Sequence, residues 1–231
     1  MFNYIYKYNL WGFGSGSGSL SGNNKQYIDF LNKFIKSHKD IHKIIDLGCG
    51  DWQLHRHIHF RDNEYMGIDI VNTVIDNNLK HYSTNKITFK CINFLDSDFK
   101  LPSGDLLIVK DVLQHLSNSN IRIFFNKMRN SNYKYILITN DVSKINFNYL
   151  NINDGMYKPI NISKSPYKYT GKVVLRYYDK LYLIMCALIM IYISYRIYKN
   201  PNGLNYMFLL IWIFYIYFIL PIKEVYLCDL S

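Results

Sequence analysis

The chain has 231 residues, of which 49% are apolar and 19% charged, and its formal net charge is +10. This balance excludes a disordered protein. Four cysteines without a Cys-x-x-Cys pair argue against a disulfide scaffold and against a zinc ribbon. The basic surplus is concentrated between Lys158 and Lys180 instead of forming a broad stripe, which argues against a nucleic-acid partner.

Strand and helix patterns alternate along the first 180 residues. The predicted strands are residues 41–47, 64–70, 87–94, 105–109 and 133–139, and the predicted helices are residues 24–38, 74–81 and 119–129. This alternation is typical of an α/β protein with a doubly wound parallel sheet. In such folds the ligand lies beyond the carboxyl ends of the strands, so the residues that follow the strands are the candidates for function.

A glycine-rich turn follows the first predicted strand, in the order Asp46-Leu47-Gly48-Cys49-Gly50-Asp51. Glycines at these places let the backbone turn tightly and approach a ligand. Asp69 ends the second predicted strand, and an ionised carboxylate there accepts hydrogen bonds from both ribose hydroxyls. The third glycine of a dinucleotide motif is replaced by Gln53, so a pyrophosphate site has weak support.

With these residues the chain resembles the class I S-adenosylmethionine-dependent methyltransferases. Residues 46–50 match the first motif of that family, and residues 65–69 match the second. The resemblance covers about residues 8–180 and implies a Rossmann-like, seven-stranded methyltransferase sheet. Three flanking segments resemble a subgroup of small bacterial and viral methyltransferases, namely residues 11–20, 105–116 and 153–167. The predicted domain is residues 1–180, in which residues 1–40 form an N-terminal cap and helix.

The resemblance implies S-adenosylmethionine as cofactor and assigns residues to it. The implied cofactor-binding residues are Asp46, Gly48, Cys49, Gly50, Asp69, Ile70, Asn93, Phe94 and Lys110. Asp46 would hold the glycine loop or the amino group of the cofactor, and Asp69 its ribose. Asn93 stands where the family usually has an aspartate beside the adenine, and its side-chain oxygen can still accept a hydrogen bond. Asp96 is the alternative at that place.

Two residues after the fourth strand are the candidates for catalysis. His115 is the better general base by its ordinary pKa, and Asp111 is its orienter or an alternative base. A helix that began at Asp111 would place both side chains on one face. His115 could equally be a packing or capping residue. The alternating histidines at 55, 57 and 59 are interpreted as a surface loop, and no metal is expected.

Residues 14–19, with the sequence GSGSGS, have two interpretations. Composition alone indicates a flexible linker. Beside Trp11, a glycine loop over the cofactor or acceptor pocket is the preferred interpretation.

Two uncharged apolar runs near the C-terminus, residues 181–195 and 204–222, predict one or two membrane helices over residues 181–222. A short polar tail would follow at residues 223–231. The basic residues before the first run place the enzymatic domain on the cytosolic side. Two alternatives remain open. The runs could be buried helices, or residues 172–178 and 180–185 could be closing antiparallel strands, which leaves one span.

The predicted function is therefore a membrane-anchored S-adenosylmethionine-dependent methyltransferase that acts on a small-molecule, glycan or lipid-linked acceptor. A catalytically inactive cofactor-binding or interaction module on a membrane is the first alternative, and Asn93 gives it weight. A nucleic-acid methyltransferase is the second alternative. An Asn-Pro-Pro-Tyr-type signature would favour it, but the chain has Lys110-Asp111-Val112-Leu113 at that position.

Overall fold

The computed structural model describes residues 1–60, 62–178 and 180–228. Within these residues, seven strands form one sheet. They are β1 (Lys43–Leu47), β2 (Glu64–Asp69), β3 (Ile87–Cys91), β4 (Leu106–Lys110), β5 (Tyr135–Val142), β6 (Gly171–Tyr177) and β7 (Ile222–Cys228). Their order across the sheet is β3-β2-β1-β4-β5-β7-β6. Strands β1 to β5 run parallel, and β7 pairs antiparallel with both β5 and β6.

Six α-helices accompany the sheet in the described part of the chain. They are α1 (Phe2–Lys7), α2 (Lys25–Ser37), α3 (Asn72–Tyr82), α4 (Asn118–Arg129), α5 (Lys180–Lys199) and α6 (Gly203–Phe214). A π-helical stretch (Tyr215–Ile219) continues α6. Short 3₁₀ helices occur at Ser17–Ser19, His55–His57, Leu113–His115 and Phe147–Tyr149. Helix α4 begins where the Ser117 hydroxyl accepts a hydrogen bond from the backbone N–H of Asn120, as an N-cap residue does.

The core lies on both faces of the sheet, because successive side chains of a strand point to opposite faces. Ile45, Leu107 and Ile136 belong to the apolar cluster that includes the buried side of α4. Ile44, Leu106 and Leu137 belong to the cluster that includes the buried side of α2. Every residue of β4 is buried, as expected for a central parallel strand covered on both faces. This packing fixes the carboxyl ends of β1, β2 and β4 side by side.

The C-terminal region differs most from the prediction. Residues 222–228 form β7 and insert between β5 and β6, whereas the sequence predicts a polar tail over residues 223–231. Residues 229–231 lie outside the described residues. Strand β6 agrees with the predicted strand over residues 172–178. Its antiparallel partner is β7 and not residues 180–185, which belong to α5.

Helices α5 and α6 form a hairpin between β6 and β7. The side-chain amide of Asn205 closes its turn by donating to the carbonyls of Arg196, at 3.3 Å, and Asn200, at 2.6 Å. The hairpin leaves large apolar side chains exposed, among them Leu188, Ile191, Phe208 and Leu210.

The membrane helices predicted over residues 181–222, and the membrane localisation derived from them, are wrong. No helix in the described part of the chain combines the length and the apolar character that crossing a bilayer requires. Helix α6 has 12 residues, and α5 has Arg196 and Lys199 in its last turn. The prediction failed because an apolar run by itself does not distinguish a membrane helix from a helical hairpin that connects two strands of a sheet.

Candidate active site

A cavity of about 600 Å³ opens at the carboxyl ends of the parallel strands. The residues that follow β1, β2, β3 and β4 form its floor and walls, and the N-terminal segment covers part of it. This is the place where doubly wound sheets bind ligands. Its volume is in the range of about 300–1,000 Å³ that is typical of small-molecule sites.

The loop after β1 approaches its neighbours so closely that it requires glycine. Gly48 has a φ of 75° and Gly50 a φ of 56°, in the left-handed region that glycine adopts readily. A Cβ atom on Gly48 would overlap with Cγ2 of Val112, and one on Gly50 would overlap with Oγ of Ser15. The amides of Gly48 and Cys49 donate to the carbonyl of Ile68, at 2.7 and 3.1 Å. The loop is thereby held against β2, and residues 48–50 line the cavity.

Asp69 ends β2 and lines the same cavity. Its Oδ2 accepts from the backbone N–H of Gly50 and its Oδ1 from that of Val71, both at 3.0 Å. Burial raises the pKa of this carboxyl, although the backbone hydrogen bonds oppose the shift. An ionised carboxylate accepts about four hydrogen bonds, so two acceptor positions remain for a pair of hydroxyls. The neighbouring Ile70 is 40% exposed and gives the wall an apolar surface beside these acceptors.

Asp46 lies behind the glycine loop and does not line the cavity. It is fully buried, and its Oδ2 accepts from the Tyr65 hydroxyl at 2.5 Å and from Nδ1 of His55 at 2.6 Å. Its Oδ1 has no hydrogen-bond partner. Because His55 itself lines the cavity, Asp46 reaches the site through His55. The structure therefore does not place Asp46 where the resemblance implies a contact with the amino group.

Asn93 and Phe94 line the cavity beyond β3. The side-chain oxygen of Asn93 accepts from the N–H of Leu95 at 3.1 Å, and its amide donates to Asp96 at 2.5 Å. One lone pair of the oxygen remains for a ligand. Phe94 is buried and packs edge-on against the Phe124 ring. An apolar ring beside an amide acceptor suits a flat heterocycle with an amino group.

Four charged side chains form a buried network at the ends of β4, β5 and β7. Lys110 contacts Asp111 at 2.5 Å, and Lys223 contacts Asp111 at 2.8 Å and Asp141 at 2.9 Å. Lys110 also donates to the carbonyl of Gly18 at 2.8 Å. Burial alone would raise the pKa of Asp111, but the two lysines lower it to about 2. Burial lowers the pKa of Lys110.

The network makes Asp111 a weak base, because its carboxylate is held ionised by two cations. Asp111 directly follows β4 and has a φ of 56°, and the next helix is only the short 3₁₀ helix Leu113–His115. Asp111 and His115 therefore do not share a helix face, contrary to the geometry expected from their spacing. Both side chains nevertheless line the cavity.

His115 has a fixed orientation. Its Nδ1 lies 2.9 Å from the carbonyl oxygen of Met156, which accepts only, so Nδ1 carries the proton. In the neutral ring, Nε2 then has the lone pair that takes up a proton. Burial lowers the pKa of His115, and this favours the neutral ring near pH 7. The ring of Trp11 covers the imidazole, with 4.7 Å between ring centroids.

The N-terminal segment is bound to the glycine loop through Ser15. The amide of Ser15 donates to Oδ2 of Asp51 at 3.2 Å, and the amide of Asp51 donates to the Ser15 hydroxyl at 3.0 Å. The Tyr6 hydroxyl lies 2.6 Å from the same serine oxygen. Residues 15–19 line the cavity, so the GSGSGS segment forms a loop over the pocket and not a linker.

Sequence reasoning missed several residues of the cavity, namely Tyr6, Asp141, Asp154, Tyr157 and Lys223. Lys223 follows the apolar hairpin, so its contribution depends on β7 returning to the sheet. Asp154 belongs to the stretch of residues 153–167 that the resemblance had included. Among the histidines, His55 is buried, whereas His57 and His59 are exposed. The described residues contain no group of three or more metal-ligating side chains arranged to hold an ion.

Comparison with known proteins agrees with this geometry. Residues 45–131 match the family model described as a methyltransferase domain. A comparison with curated protein sequences found no match. A solved structure from Galdieria sulphuraria, provisionally described as a sarcosine dimethylglycine methyltransferase, is 14% identical. It has a TM-score of 0.58, and the alignment covers 99% of this chain and 98% of that one.

Two further solved structures are similar to smaller parts of the chain. The methyltransferase domain of bacterial CtHen1 is 17% identical with a TM-score of 0.47, and the alignment covers 65% of this chain and 89% of that one. PKMT2 from Rickettsia typhi, in complex with AdoHcy, is 16% identical with a TM-score of 0.39. That alignment covers 45% of this chain and only 22% of the Rickettsia protein.

Residues 45–131 form a methyltransferase domain, and the chain has the fold of the S-adenosylmethionine-dependent methyltransferases. The family match and the shared fold confirm the resemblance at the level of this class and its cofactor. Three features of the molecule agree with the family match and the shared fold: the order of the strands in the sheet, the glycine loop, and the carboxylate at the end of β2.

Proposed function

We propose that the chain transfers a methyl group from S-adenosylmethionine to a small molecule, or to the terminal group of a glycan or lipid-linked molecule, that enters the cavity beside His115. One observation carries the proposal. The carboxylate of Asp69, the glycine loop and His115 line a single cavity, which the N-terminal segment partly covers. A covered cavity of this size favours a small acceptor group.

The chain's own residues fit the cofactor. Asp69 has acceptor positions for the ribose hydroxyls, and Asn93 with Phe94 offers an acceptor and an apolar ring for the adenine. Gly48 and Gly50 leave no room for a Cβ and present backbone to the cavity. Ile70 offers an apolar contact to the cofactor. Lys110 lines the same cavity and is held in position by its ion pair with Asp111. The bound cofactor supplies a sulfonium-linked methyl group that is electrophilic without further activation.

Catalysis then depends on alignment of the acceptor and on removal of its proton. His115 performs the second task, because its Nδ1–H is fixed on Met156 and its Nε2 lone pair remains. Trp11 covers the ring and restricts its orientation. Asp111 stays ionised between two lysines and stabilises the wall of the site instead of accepting the proton.

The test uses S-adenosylmethionine that carries tritium in the methyl group and a set of primary amines and alcohols. We expect label transfer by the wild type and a loss of about 10²- to 10⁴-fold in His115→Gln. The affinity for S-adenosylhomocysteine should be unchanged in that variant. His57→Gln, at an exposed position, is the matched control and should transfer label normally. Equal transfer by His115→Gln would contradict the assigned base, and binding without any transfer would favour the inactive cofactor-binding module.

A further inference from the structure

The acceptor part of the cavity has an unequal distribution of charge. Among its described side chains, those with a permanent positive charge are Lys110 and Lys223. Both are paired with carboxylates, Lys110 with Asp111 and Lys223 with Asp111 and Asp141. Neither lysine is therefore available to bind an anionic substituent of an acceptor.

Three other carboxylates of the cavity form no ion pair with the cations that the structure describes. Asp51 accepts from the Ser15 amide and from the side-chain amide of Gln53. Asp69 accepts from two backbone amides. Asp154 accepts from the backbone N–H of Ser117 at 2.7 Å and from the side chain of Asn120 at 2.5 Å. The donors are all neutral, so these carboxylates give the cavity a negative potential that repels anions.

Asp154 lies on the same wall as His115. The N–H of Gly155 donates to the carbonyl of His115 at 2.8 Å, and the carbonyl of Met156 accepts from its ring. The segment after Asp154 therefore runs alongside the base. Asp154 is assigned to the acceptor side for this reason, whereas Asp69 belongs to the cofactor side.

Aromatic rings complete this wall. Trp11 lies against His115, and its ring has Phe2 at 6.0 Å and Tyr6 at 5.9 Å, both edge-on. All three rings line the cavity. The faces of aromatic rings attract cations, most strongly in a site shielded from water. A carboxylate and aromatic rings, in a cavity whose two lysines are both paired with carboxylates, are the features of a site for an ammonium group.

We infer that the acceptor is an amine, which binds as its ammonium form between Asp154 and Trp11 and is methylated on nitrogen. This inference rests on the proposed function and specifies its acceptor. The ammonium gives one proton to Nε2 of His115, and the nitrogen lone pair then forms the N–C bond. As that bond forms, the S–C bond of the cofactor breaks and its electron pair stays on sulfur. The products are an N-methylammonium ion and S-adenosylhomocysteine, and His115 returns its proton to solvent.

Three probes of the same shape but different charge test the inference, namely benzylamine, benzyl alcohol and benzoate. Their binding to the full chain saturated with S-adenosylhomocysteine is measured by titration calorimetry. We expect benzylamine to bind at least about tenfold more tightly than benzoate. Asp154→Asn should remove most of this preference, and Asp98→Asn, which changes an exposed carboxylate away from the cavity, should keep it.

Trp11→Leu is a second variant that leaves Asp154 intact, and it should weaken benzylamine but not benzoate. Thermal unfolding and the affinity for S-adenosylhomocysteine show whether each variant retains its fold. Benzoate binding as tightly as benzylamine, with S-adenosylhomocysteine bound normally, would overturn the amine assignment alone. Failure of the folded wild type to bind S-adenosylhomocysteine would overturn the proposed function and the amine assignment with it.

Discussion

The indole ring of Trp11 lies over the imidazole of His115, with ring centroids 4.7 Å apart and 35° between the ring planes. This contact joins the N-terminal segment to the residue that we assign as the base. It also removes water from the imidazole, and burial lowers the pKa of His115. The cover over the cavity and the ionisation of the base are therefore linked through one pair of residues.

Replacing Trp11 with alanine should raise the pKa of His115 toward its ordinary value of about 6.5, because water then reaches the ring. A lowered pKa keeps the base deprotonated at lower pH, so the acid limb of the methyl-transfer profile should move to higher pH in the variant. Nuclear magnetic resonance titration of the His115 ring measures the pKa directly. Trp11→Phe retains an aromatic cover and should shift the pKa less. An unchanged pKa in Trp11→Ala would show that the indole does not control the base.

Lys223 is a structural requirement of the charged network. The change Lys223→Met should lower the free energy of unfolding by about 3–5 kcal/mol, because it leaves Asp111 and Asp141 with one fewer buried cation. Urea denaturation measures this difference. Lys172→Met, an exposed lysine on the neighbouring strand β6, is the matched control and should change stability by less than about 0.5 kcal/mol. Equal effects of the two substitutions would be incompatible with the role given to the ion pairs.

The depressed pKa of Asp111 predicts a pH dependence of stability. Its folded pKa of about 2 is below the unfolded value of about 3.9, so its contribution is complete above about pH 5 and is lost as the pH falls through 2. The full loss amounts to about 2.6 kcal/mol for a shift of this size. Asp111→Asn removes the titrating group, so its free energy of unfolding should fall less over this interval. The same decline in both proteins would rule out Asp111 as the source.

The glycine loop can be tested through the contact between Gly48 and Val112. Gly48→Ala should destabilise the protein by more than about 1 kcal/mol, because alanine disfavours a positive φ and its Cβ overlaps with Cγ2 of Val112. The second change Val112→Ala removes that methyl group and should recover part of the loss. Gly22→Ala is the control, since Gly22 has no atom near its Cβ position. Strict additivity of Gly48→Ala and Val112→Ala in a double-mutant cycle would argue against the overlap.

The sequence was most informative where local signals and burial agree. The first five strands and helices α2, α3 and α4 follow from their apolar periodicity, and Asp69 follows from its distance to the glycine turn. The sequence did not predict that Lys223 lies in the site, because an apolar run does not indicate whether the chain after it returns to the sheet. The partners of Asp46 were not predictable either. His55 reaches its carboxylate through a 3₁₀ turn that no periodicity signals.

The binding of S-adenosylhomocysteine to the full chain, measured by titration calorimetry, tests the central claim most directly. We expect a dissociation constant in the micromolar range, which corresponds to a binding free energy of about −8 kcal/mol. Asp69→Ala should weaken binding by about 10- to 100-fold, because hydrogen bonds to a charged group contribute about 1.5–3 kcal/mol. Asp76→Ala, at an exposed carboxylate on α3, should bind as the wild type does. Equal affinity of the wild type and a folded Asp69→Ala variant would contradict the claim that the cofactor's ribose lies at the end of β2.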